Sequence, residues 1–554
     1  MSHPTALSHW HRSAAAATRL ESLFGSRVEP CFIDRPRSLH QMLERAAERH
    51  AEHCALVCGE QRLSYRQLLA TAASLAAGMA QAGVRVGDRV ALLLGNRIEF
   101  VVALFAAARL GAIAVPLSTR EQTPGLSYML QHCGAVLLLH EAELASIVPP
   151  AAELPAIRQR WQLGGGPLAA GSSAYVDHLL PGTVPVAEVH EQDTAAILYT
   201  SGTTGRPKGA MLTHLGIVHS SMHYALAMGL GPNDATVAAV PLSHVTGLVA
   251  LTTTFVYCAG KMVIMPAFKA ADYLRIAGAE RISHSLMVPA MYKLCLLDPS
   301  FAQYDLSAWR IGAYGGAPMP VAVIVELGEK IPELMLMNCY GATETTSPAT
   351  LMPPGQTRAH NDTVGQSLHC VDMRVMDDEG RELPAGTLGE IWIKGPMVVS
   401  GYWNNSEATQ ANITGGYWHS GDLGTIDEQG YVRVMDRKKD MINRGGFKIY
   451  TIEVENALYE HAAVQECAVV AKPCPVLGER VHAFISLKPG HLPSDALSNE
   501  IRSHCAARLS DYKVPESYSV GVEPLPRNAN GKLLKREMRE QAAAIAPLVP
   551  QRRS

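Results

Sequence analysis

Apolar and polar residues follow two alternating periods along the chain from about Ser38 onward. Residues 64–82 carry apolar side chains at helical spacing and stop at Gly83, which predicts a helix. The elements predicted next are a strand at 89–94, a helix at 99–110 and a strand at 113–116. Helices that alternate with short apolar strands are typical of layered α/β folds with largely parallel sheets.

The pattern changes after residue 370. Short strands at 371–376, 389–393 and 431–435 are separated by turn residues and indicate a β-rich subdomain. After Asp436 the chain resumes with a helix at 452–459 and strands at 464–471 and 481–487. We therefore predict an α/β protein with a large N-terminal domain of layered α/β sheets, a β-rich subdomain and a small α+β C-terminal domain. The predicted limits are a flexible segment at 1–35, the large domain at 36–436 and the small domain at 437–554, with an irregular surface segment at 141–190.

The chain has 554 residues, of which 47% are hydrophobic and 18% are charged, and its net charge is −3. This composition is globular, and the charge balance gives no electrostatic footprint for nucleic acid or an anionic membrane. No uncharged apolar stretch reaches the roughly 20 residues of a membrane span, and the first residues lack the apolar core of a secretory signal. The 11 cysteines include no Cys-x-x-Cys pair, which predicts reduced and mostly buried thiols in a cytoplasmic protein.

The densest group of hydrogen-bond donors is the run from Tyr199 to Gly209, which follows an apolar run that predicts a buried strand. It contains four Ser or Thr hydroxyls, three glycines and one lysine. Glycines let backbone N–H groups approach an anion closely, and the hydroxyls and Lys208 add donors for phosphate oxygens. An ordinary solvated turn does not need so many donors. The run is not a Walker A loop, because Gly209 stands where that motif has a hydroxyl residue after the lysine.

The order Ser-Gly-Thr-Thr-Gly-x-Pro-Lys-Gly resembles the signature of the adenylate-forming superfamily, which includes acyl-CoA synthetases, peptide-synthetase adenylation domains and beetle luciferases. Further motifs match in the order of that family and cover most of the chain: Gly315-Gly316-Ala317-Pro318, Tyr340-Gly341-Ala342-Thr343-Glu344, Trp418-His419-Ser420-Gly421-Asp422, Asp436-Arg437-Lys438-Lys439-Asp440, Arg444-Gly445-Gly446-Phe447 and Asn530-Gly531-Lys532. The resemblance implies an ATP-dependent acid–CoA ligase. It would form an acyl-AMP and pyrophosphate, then a CoA thioester and AMP, with ATP, CoA and Mg²⁺ as cofactors.

The resemblance also implies roles for individual residues in adenylation. Glu344 and Thr204 would bind Mg²⁺, since a hard cation prefers oxygen ligands. Lys532 would bridge the substrate carboxylate and the α-phosphate, Tyr340 would stack on adenine, and Asp422 would bind the ribose. The implied catalytic residues are Lys532, Thr203, Lys208, Glu344 and His244. The implied ATP and AMP contacts are Thr200, Ser201, Gly202, Thr203, Thr204, Gly205, Lys208, Gly315, Gly316, Ala317, Tyr340, Gly341, Ala342, Thr343, Asp422, Arg437 and Lys532.

The second half-reaction needs a rearrangement that removes Lys532 and admits a thiol. In the family the small domain rotates about one residue shortly after the motif arginine, and here that residue is Lys439. The rotation presents a glycine-rich strand to the CoA tunnel, which implies CoA contacts for Arg444, Gly445, Gly446 and Phe447. An ordinary hairpin bulge remains an alternative interpretation of the glycine pair.

The substrate is the least defined part of the sequence. His244 is either a residue at the acyl-site gate or a satisfied core histidine. No acidic residue occurs from Ala235 to Met265, which disfavours a substrate with a buried α-ammonium group. Apolar candidates for the pocket lining favour a medium- to long-chain or similar hydrophobic acid: Val245, Leu248, Met287, Val288, Pro289, Tyr314 and Ala342.

Three alternatives stay open beside the acid–CoA ligase. One is a stand-alone adenylation enzyme that loads a separate acyl carrier protein, because too few residues follow Lys532 for a fused carrier domain. A luciferase-type oxygenase shares the first step. A non-catalytic nucleotide sensor would be expected to have lost Glu344 or Lys532, and both are present. The expected partners are the acid, ATP and CoA, without nucleic acid or a membrane span, and a homodimer is left open.

Overall fold

The structure, a computed structural model, describes residues 8–12, 16–200, 206–317, 319–527 and 533–545. The chain divides into two compact units. The first unit comprises Met1–Arg374, Trp392–His419 and Ile426–Arg433, and the second comprises Val375–Ile391, Ser420–Thr425 and Val434–Ser554. The domain limit predicted between residues 436 and 437 stays a prediction.

The first unit contains a nine-stranded sheet whose six central strands run parallel. Its strand order is Gln366–Ser367, Thr350–Leu351, Met335–Tyr340, Ile311–Gly315, His284–Met287, Ala235–Ala238, Lys261–Ile264, Cys54–Cys58 and Gln61–Ser64. The strands at both edges are antiparallel to their neighbours. Since parallel strands all end at one edge of a sheet, Gly315 and Tyr340 lie at the same edge, where α/β proteins bind their ligands.

A second sheet of the first unit has seven strands. Its order is Lys208–Thr213, Thr194–Thr200, Ile113–Pro116, Arg89–Leu93, Ala135–Glu141, Gln159–Leu163 and Ser173–Ala174. Only the pair that flanks the glycine-rich loop is antiparallel. The last two strands fall within the segment 141–190, so the prediction of an irregular segment is wrong there. Polar residues at Gln159, Arg160 and Gln162 interrupt the apolar run by which a buried strand is recognised.

Helices cover both sheets, as the α/β alternation predicts. In the first unit they are His9–Arg12, Leu39–Arg49, Tyr65–Gln81, Ile98–Arg109, Thr123–Cys133, His214–Met228, Thr254–Tyr257, Ala270–Ala279, Pro289–Leu297, Val321–Lys330 and Ser406–Asn412. Ser64 and Gln67 form a capping box at the start of the predicted helix, with the Gln67 side chain accepting from the Ser64 amide at 2.8 Å. None of the described helices combines the length and apolar content that a bilayer crossing requires.

The predicted β-rich subdomain is present as the strands Asp372–Met376, Gly389–Lys394, Ile413–Thr414, Tyr417–Ile426 and Val432–Arg437, and the division between the units runs through them. The second unit has a sheet of its own, made of Ile442–Arg444, Phe447–Ile449, Val464–Cys474, Gly478–Leu487 and Ser517–Gly521. Its helices are Thr451–Tyr459, Asp495–Ala506 and Lys535–Ala544. The α/β fold class with a small α+β C-terminal part is thus confirmed. All cysteines are free, and all except Cys54 and Cys58 are buried.

Thr18–Leu23 and Arg27–Phe32 form an N-terminal hairpin within the first unit. The prediction of a flexible segment at 1–35 is therefore wrong for these residues. The composition of this segment did not signal the ion pairs that hold it. Arg35 has no exposed side-chain surface and bonds to Glu21 at 2.6 Å and to Glu191 at 2.7 Å. Removing one partner from a buried ion pair costs about 3–5 kcal/mol, because it leaves the other charge buried without its counter-charge.

Two glutamates of this hairpin have opposite pKa shifts. The bond to Arg35 lowers the pKa of Glu21 to about 2. Burial raises the pKa of Glu29, against the opposing effect of the charge of Arg27, and neither of its oxygens has a hydrogen-bond partner among the described residues. Lys394 and Asp372 also face Glu29 and partly offset each other.

We expect Glu21→Gln and Glu29→Gln to change the pH dependence of thermal unfolding in opposite directions. The Glu21 contribution is present above its ordinary pKa and is lost as the pH falls toward 2, so Glu21→Gln should lower the Tm at neutral pH and converge with wild type in acid. The Glu29 contribution is present below its ordinary pKa and is lost as the pH rises through the raised pKa, so Glu29→Gln should raise the Tm at neutral pH. Scanning calorimetry from pH 3 to 8 measures both, and parallel Tm curves would contradict the assignment.

Candidate active site

Two groups of predicted site residues lie outside the described residues: Ser201, Gly202, Thr203, Thr204 and Gly205 of the glycine-rich loop, and Lys532. The two ends of the loop are described. The strands Thr194–Thr200 and Lys208–Thr213 are antiparallel, with Thr200 opposite Lys208. The loop therefore starts and ends at one pair of neighbouring residues, and both belong to the predicted site.

Glu344 lies beside this pair. It is 9% exposed, and its Oε1 accepts a hydrogen bond from the Thr200 hydroxyl at 3.3 Å. The backbone of Glu344 is fixed as well, since the amide of Val399 donates to its carbonyl at 2.9 Å. The predicted residues Thr200, Lys208 and Glu344 are thus brought together, although Glu344 stands 136 positions after Lys208 in the sequence.

The motif residues that precede Glu344 lie at the carboxyl edge of the nine-stranded sheet. Gly315 pairs with Cys339, and a Cβ at Gly315 would lie 2.5 Å from the Cys339 carbonyl oxygen, so only glycine fits. Gly316 has a φ of +77°, which also favours glycine, and Ala317 is exposed. Tyr340 ends the neighbouring strand and is half-buried. This edge offers a small-residue surface beside an aromatic ring.

The residues Gly341, Ala342 and Thr343 connect the strand Met335–Tyr340 to Glu344. A Cβ at Gly341 would lie 3.1 Å from the Cα of Pro348, so the turn is tightly packed. The Ala342 amide donates to the Thr345 hydroxyl at 2.8 Å. These contacts fix the direction in which the chain leaves the sheet and hence the place of Glu344.

His244 precedes a buried π-helix, Thr246–Thr253. Its Nδ1 accepts from the Thr246 amide at 3.3 Å and lies 3.2 Å from the Thr246 hydroxyl. Because Nδ1 is the acceptor, the proton of a neutral ring is on Nε2. The π-helix is a rare form that is common at functional sites, and its local geometry is fixed at Gly247, where a Cβ would lie 2.2 Å from the Pro241 carbonyl oxygen.

Two of the apolar candidates for the pocket lining lie in a buried hydrophobic cluster. Met287 and Tyr314 are opposite each other in register and lie in one buried hydrophobic cluster. Val245 and Leu248 are also buried, whereas Val288 is 42% exposed.

The second unit brings Asp422 and Arg437 together. Their side chains form an ion pair at 2.6 Å, and Arg437 also donates to the Ser420 carbonyl at 3.2 Å. Lys439 is exposed in the turn that follows the strand Val432–Arg437. Its neighbour Asp440 pairs with Arg539 at 2.5 Å, which ties the predicted hinge segment to the last described helix.

Gly445 and Gly446 form the two-residue turn of a hairpin. Arg444 pairs with Phe447 across it, and the glycines have φ values of +57° and +94°. The pair is therefore a turn and not part of a glycine-rich strand, which corrects the local structure we expected. Phe447 is 56% exposed and stacks on Tyr512 at a centroid distance of 4.7 Å.

Tyr402 is the residue of this site that the sequence did not indicate. It lies in a loop without periodicity, and neither its type nor its neighbours signal chemistry. Its hydroxyl donates to Glu344 Oε1 at 3.0 Å, and the ammonium of Lys208 lies 5.2 Å from the centroid of its ring. Burial and the charge of Glu344 raise the pKa of Tyr402, so the phenol stays protonated and donates.

The residues around Glu344 fit a hard divalent cation that is shared with a phosphate chain. Both hydrogen bonds reach Oε1, and within the described part of the chain none reaches Oε2. No group of three His, Cys, Asp or Glu side chains among the described residues could hold a metal alone. A cation beside Glu344 would therefore take its other oxygen ligands from a nucleotide and water, as Mg²⁺ does in nucleotide sites.

Comparisons with known proteins identify the family of the chain. Residues 43–403 match the family model "AMP-binding enzyme", and residues 453–532 match "AMP-binding enzyme C-terminal domain". The chain is 34% identical to a feruloyl-CoA synthase from Amycolatopsis sp. over 87% of its own length and 94% of that protein. It is 32% identical to the long-chain-fatty-acid–CoA ligase FadD13 from Mycobacterium tuberculosis, over 88% and 94%.

A solved structure has the same architecture. The o-succinylbenzoate coenzyme A synthetase from Bacillus subtilis, determined in complex with ATP and a magnesium ion, superposes with a TM-score of 0.78 at 30% identity. The match covers 90% of this chain and 98% of that one. On the family models, the identity and the coverage, the chain belongs to the AMP-binding enzyme family, which is the adenylate-forming superfamily.

Proposed function

We propose that this AMP-forming acid–CoA ligase activates a hydrophobic monocarboxylic acid, either a medium- to long-chain fatty acid or an acid of similar apolar character. The observation that carries the proposal is the segment 235–265, which is mostly buried and contains no acidic residue. An α-ammonium group there would lack a counter-charge and would be costly to bury. The one lysine of the segment, Lys261, is bonded to Glu280 at 2.8 Å, so its charge is already paired.

The two relatives support an apolar acid of either shape. One is named for a feruloyl group, which is aromatic, and the other for long-chain fatty acids. Both acids carry one carboxylate on a large apolar body. Assays with a panel of acids determine the chain length and the ring character of the preferred acid.

In the first half-reaction the substrate carboxylate attacks the α-phosphorus of ATP, and pyrophosphate leaves. Negative charge gathers on the phosphate oxygens, so the protein acts mainly by positioning and electrostatic stabilisation. Lys208 supplies a positive charge beside the phosphate loop, and Glu344 holds the cation. A bound Mg²⁺ would neutralise phosphate charge. Lys532 approaches the carboxylate and the α-phosphate together and aligns the two reactants.

In the second half-reaction the CoA thiol attacks the acyl carbon of the adenylate, and AMP leaves. Lys532 must withdraw to admit the thiol, so the proposal includes a rotation about Lys439. The hairpin that carries Gly445 and Gly446 then reaches the pantetheine arm. CoA is the proposed acceptor, and a purified acyl carrier protein in place of CoA tests the alternative acceptor directly.

Lys532→Ala should abolish acyl-AMP formation but leave thioester formation from supplied acyl-AMP, because the two steps use different arrangements. ATP–pyrophosphate exchange measures the first step, and thioester release from synthetic acyl-AMP measures the second. Lys488→Ala is the matched control, since this exposed lysine belongs to the second unit and its ammonium bonds only to the Ala462 carbonyl among the described side-chain contacts. Near wild-type exchange in Lys532→Ala would show that the assignment is wrong.

The substrate class is tested with pairs of acids that differ only by an α-amino group, such as octanoate and 2-aminooctanoate. The unsubstituted acids should release pyrophosphate and the amino acids should not. Along the straight-chain series, each buried methylene should improve binding by about 0.8 kcal/mol until the pocket is full. A preference for acetate, or for any amino acid over its unsubstituted partner, would rule out this substrate class.

Lys439→Pro should keep acyl-AMP formation and slow acyl-CoA release, because proline fixes φ near −65° in a residue that must rotate. The substitution fits the described arrangement, since Lys439 has no positive φ and no described backbone hydrogen bond starts from its amide. Lys439→Ala controls for loss of the side chain. Equal loss of both half-reactions in a folded variant, or no loss in either, would leave Lys439 as an ordinary surface lysine.

A further inference from the structure

Tyr402 contacts both charged side chains of the candidate phosphate site. Its hydroxyl donates to Glu344 Oε1 at 3.0 Å, while its ring face lies 5.2 Å from the Lys208 ammonium. Tyr402 is 5% exposed, so its hydroxyl and its ring are largely shielded from water. An ammonium over an aromatic face is attracted by the ring, and more strongly where both groups are desolvated. One side chain therefore holds a carboxylate and an ammonium in fixed relation.

The backbone of Tyr402 is itself held by the strand that carries Lys208. The amide of Trp403 donates to the Gly209 carbonyl at 2.7 Å, and the amide of Met211 donates to the Gly401 carbonyl at 3.0 Å. The amide of Tyr402 donates to the Thr409 hydroxyl at 2.9 Å. Tyr402 is thus held against the strand after the glycine-rich loop, and its phenol bonds Glu344 to the position of that strand.

The two hydroxyl donors act on the same carboxylate oxygen. Thr200 reaches Oε1 from the strand before the loop, and Tyr402 reaches it from the segment beside the strand after the loop. With Oε1 held from two sides, the rotation of the carboxylate is restricted and Oε2 has a defined direction. Second-sphere hydrogen bonds of this kind orient metal-binding carboxylates, and their loss typically costs 10–100-fold in metal affinity.

We propose that Tyr402 is a positioning residue for the cation–triphosphate site, which orients Glu344 toward a divalent cation and Lys208 toward the phosphates. The inference rests on the proposed function, since it takes Glu344 as the cation ligand. Tyr402 acts through these two side chains and does not touch the reacting atoms. The hydroxyl serves the cation, and the ring serves the phosphate contact, so the two parts are separable by substitution.

The direct test is cation binding at equilibrium. Mn²⁺ is titrated into the complex of the full chain with α,β-methylene-ATP, and free Mn²⁺ is read by electron paramagnetic resonance. Tyr402→Phe removes the hydroxyl and keeps the ring, and it should weaken Mn²⁺ binding about tenfold. Binding of the analogue without a cation should be unchanged in Tyr402→Phe. Binding of the analogue without a cation should weaken in Tyr402→Leu, which loses the ring as well as the hydroxyl.

Tyr417→Phe is the matched control, because Tyr417 also donates its phenol to a carboxylate of the first unit, Asp372. It should bind Mn²⁺ like wild type. Steady-state kinetics adds a second readout, since Tyr402→Phe should raise the Mg²⁺ concentration for half-maximal adenylation while the KM for the acid stays the same. A purely structural role for Tyr402 would lower the Tm without moving the Mg²⁺ requirement.

Glu344→Gln tests the cation role of Glu344 separately from the positioning role of Tyr402. If Glu344→Gln binds Mn²⁺ like wild type, the cation role of Glu344 in the proposed function is wrong. If Glu344→Gln weakens binding and Tyr402→Phe does not, the proposed function stands and the role of Tyr402 is overturned. Added to Glu344→Gln, Tyr402→Phe should have no further effect on Mn²⁺ binding, and an additive loss would also overturn the inference.

Discussion

The hydrogen bond from Thr200 to Glu344 joins the ends of two different sheets. Thr200 ends a strand of the seven-stranded sheet, and Glu344 follows a strand of the nine-stranded sheet. The helix Ile98–Arg109 contacts strands of both sheets, but packing of this kind does not by itself fix the two strand ends to within a hydrogen-bond length. The contact requires both strands to end at the right residue. The glycines at the sheet edge meet part of this requirement, since Gly315 lets its strand approach Cys339 closely.

The elements of the fold could be predicted wherever one period dominates. The helix at Tyr65–Gln81 has apolar spacing, a capping box and a glycine stop, and the strand at Ile113–Pro116 is entirely buried. The strands Gln159–Leu163 and Ser173–Ala174 were missed because they are short, polar in part and held by pairing with neighbouring strands. Their pairing stabilises them more than their own propensity does. The hairpin of Thr18–Leu23 and Arg27–Phe32 was missed for a similar reason, since Arg35 links Glu21 of the hairpin to Glu191, which is distant in sequence.

Some residues of the candidate site could also be predicted from the sequence, and others could not. Thr200 and Lys208 could be named because their run concentrates donors for phosphate, and Glu344 because its motif resembles the Mg²⁺-binding motif of the family. The structure places the three together. Tyr402 could not be named, because a tyrosine in an irregular loop has no pattern and its partners are distant in sequence. The pocket lining could not be assigned either. Met287 and Tyr314 have the right polarity for a pocket, yet polarity does not tell which face of a strand is the core.

The difference between patterned and unpatterned residues also explains why the sequence predicts the reaction better than it predicts the substrate. Phosphate and cation chemistry needs particular atoms at particular distances, and few residue types supply them, so the sequence keeps a visible trace. An apolar pocket needs only a volume, and many combinations of side chains fill the same volume at similar free energy. The one substrate property that the sequence constrains is therefore electrostatic. The absence of a carboxylate from 235 to 265 excludes a counter-charge there, whereas nothing comparable in the sequence measures the length of the pocket.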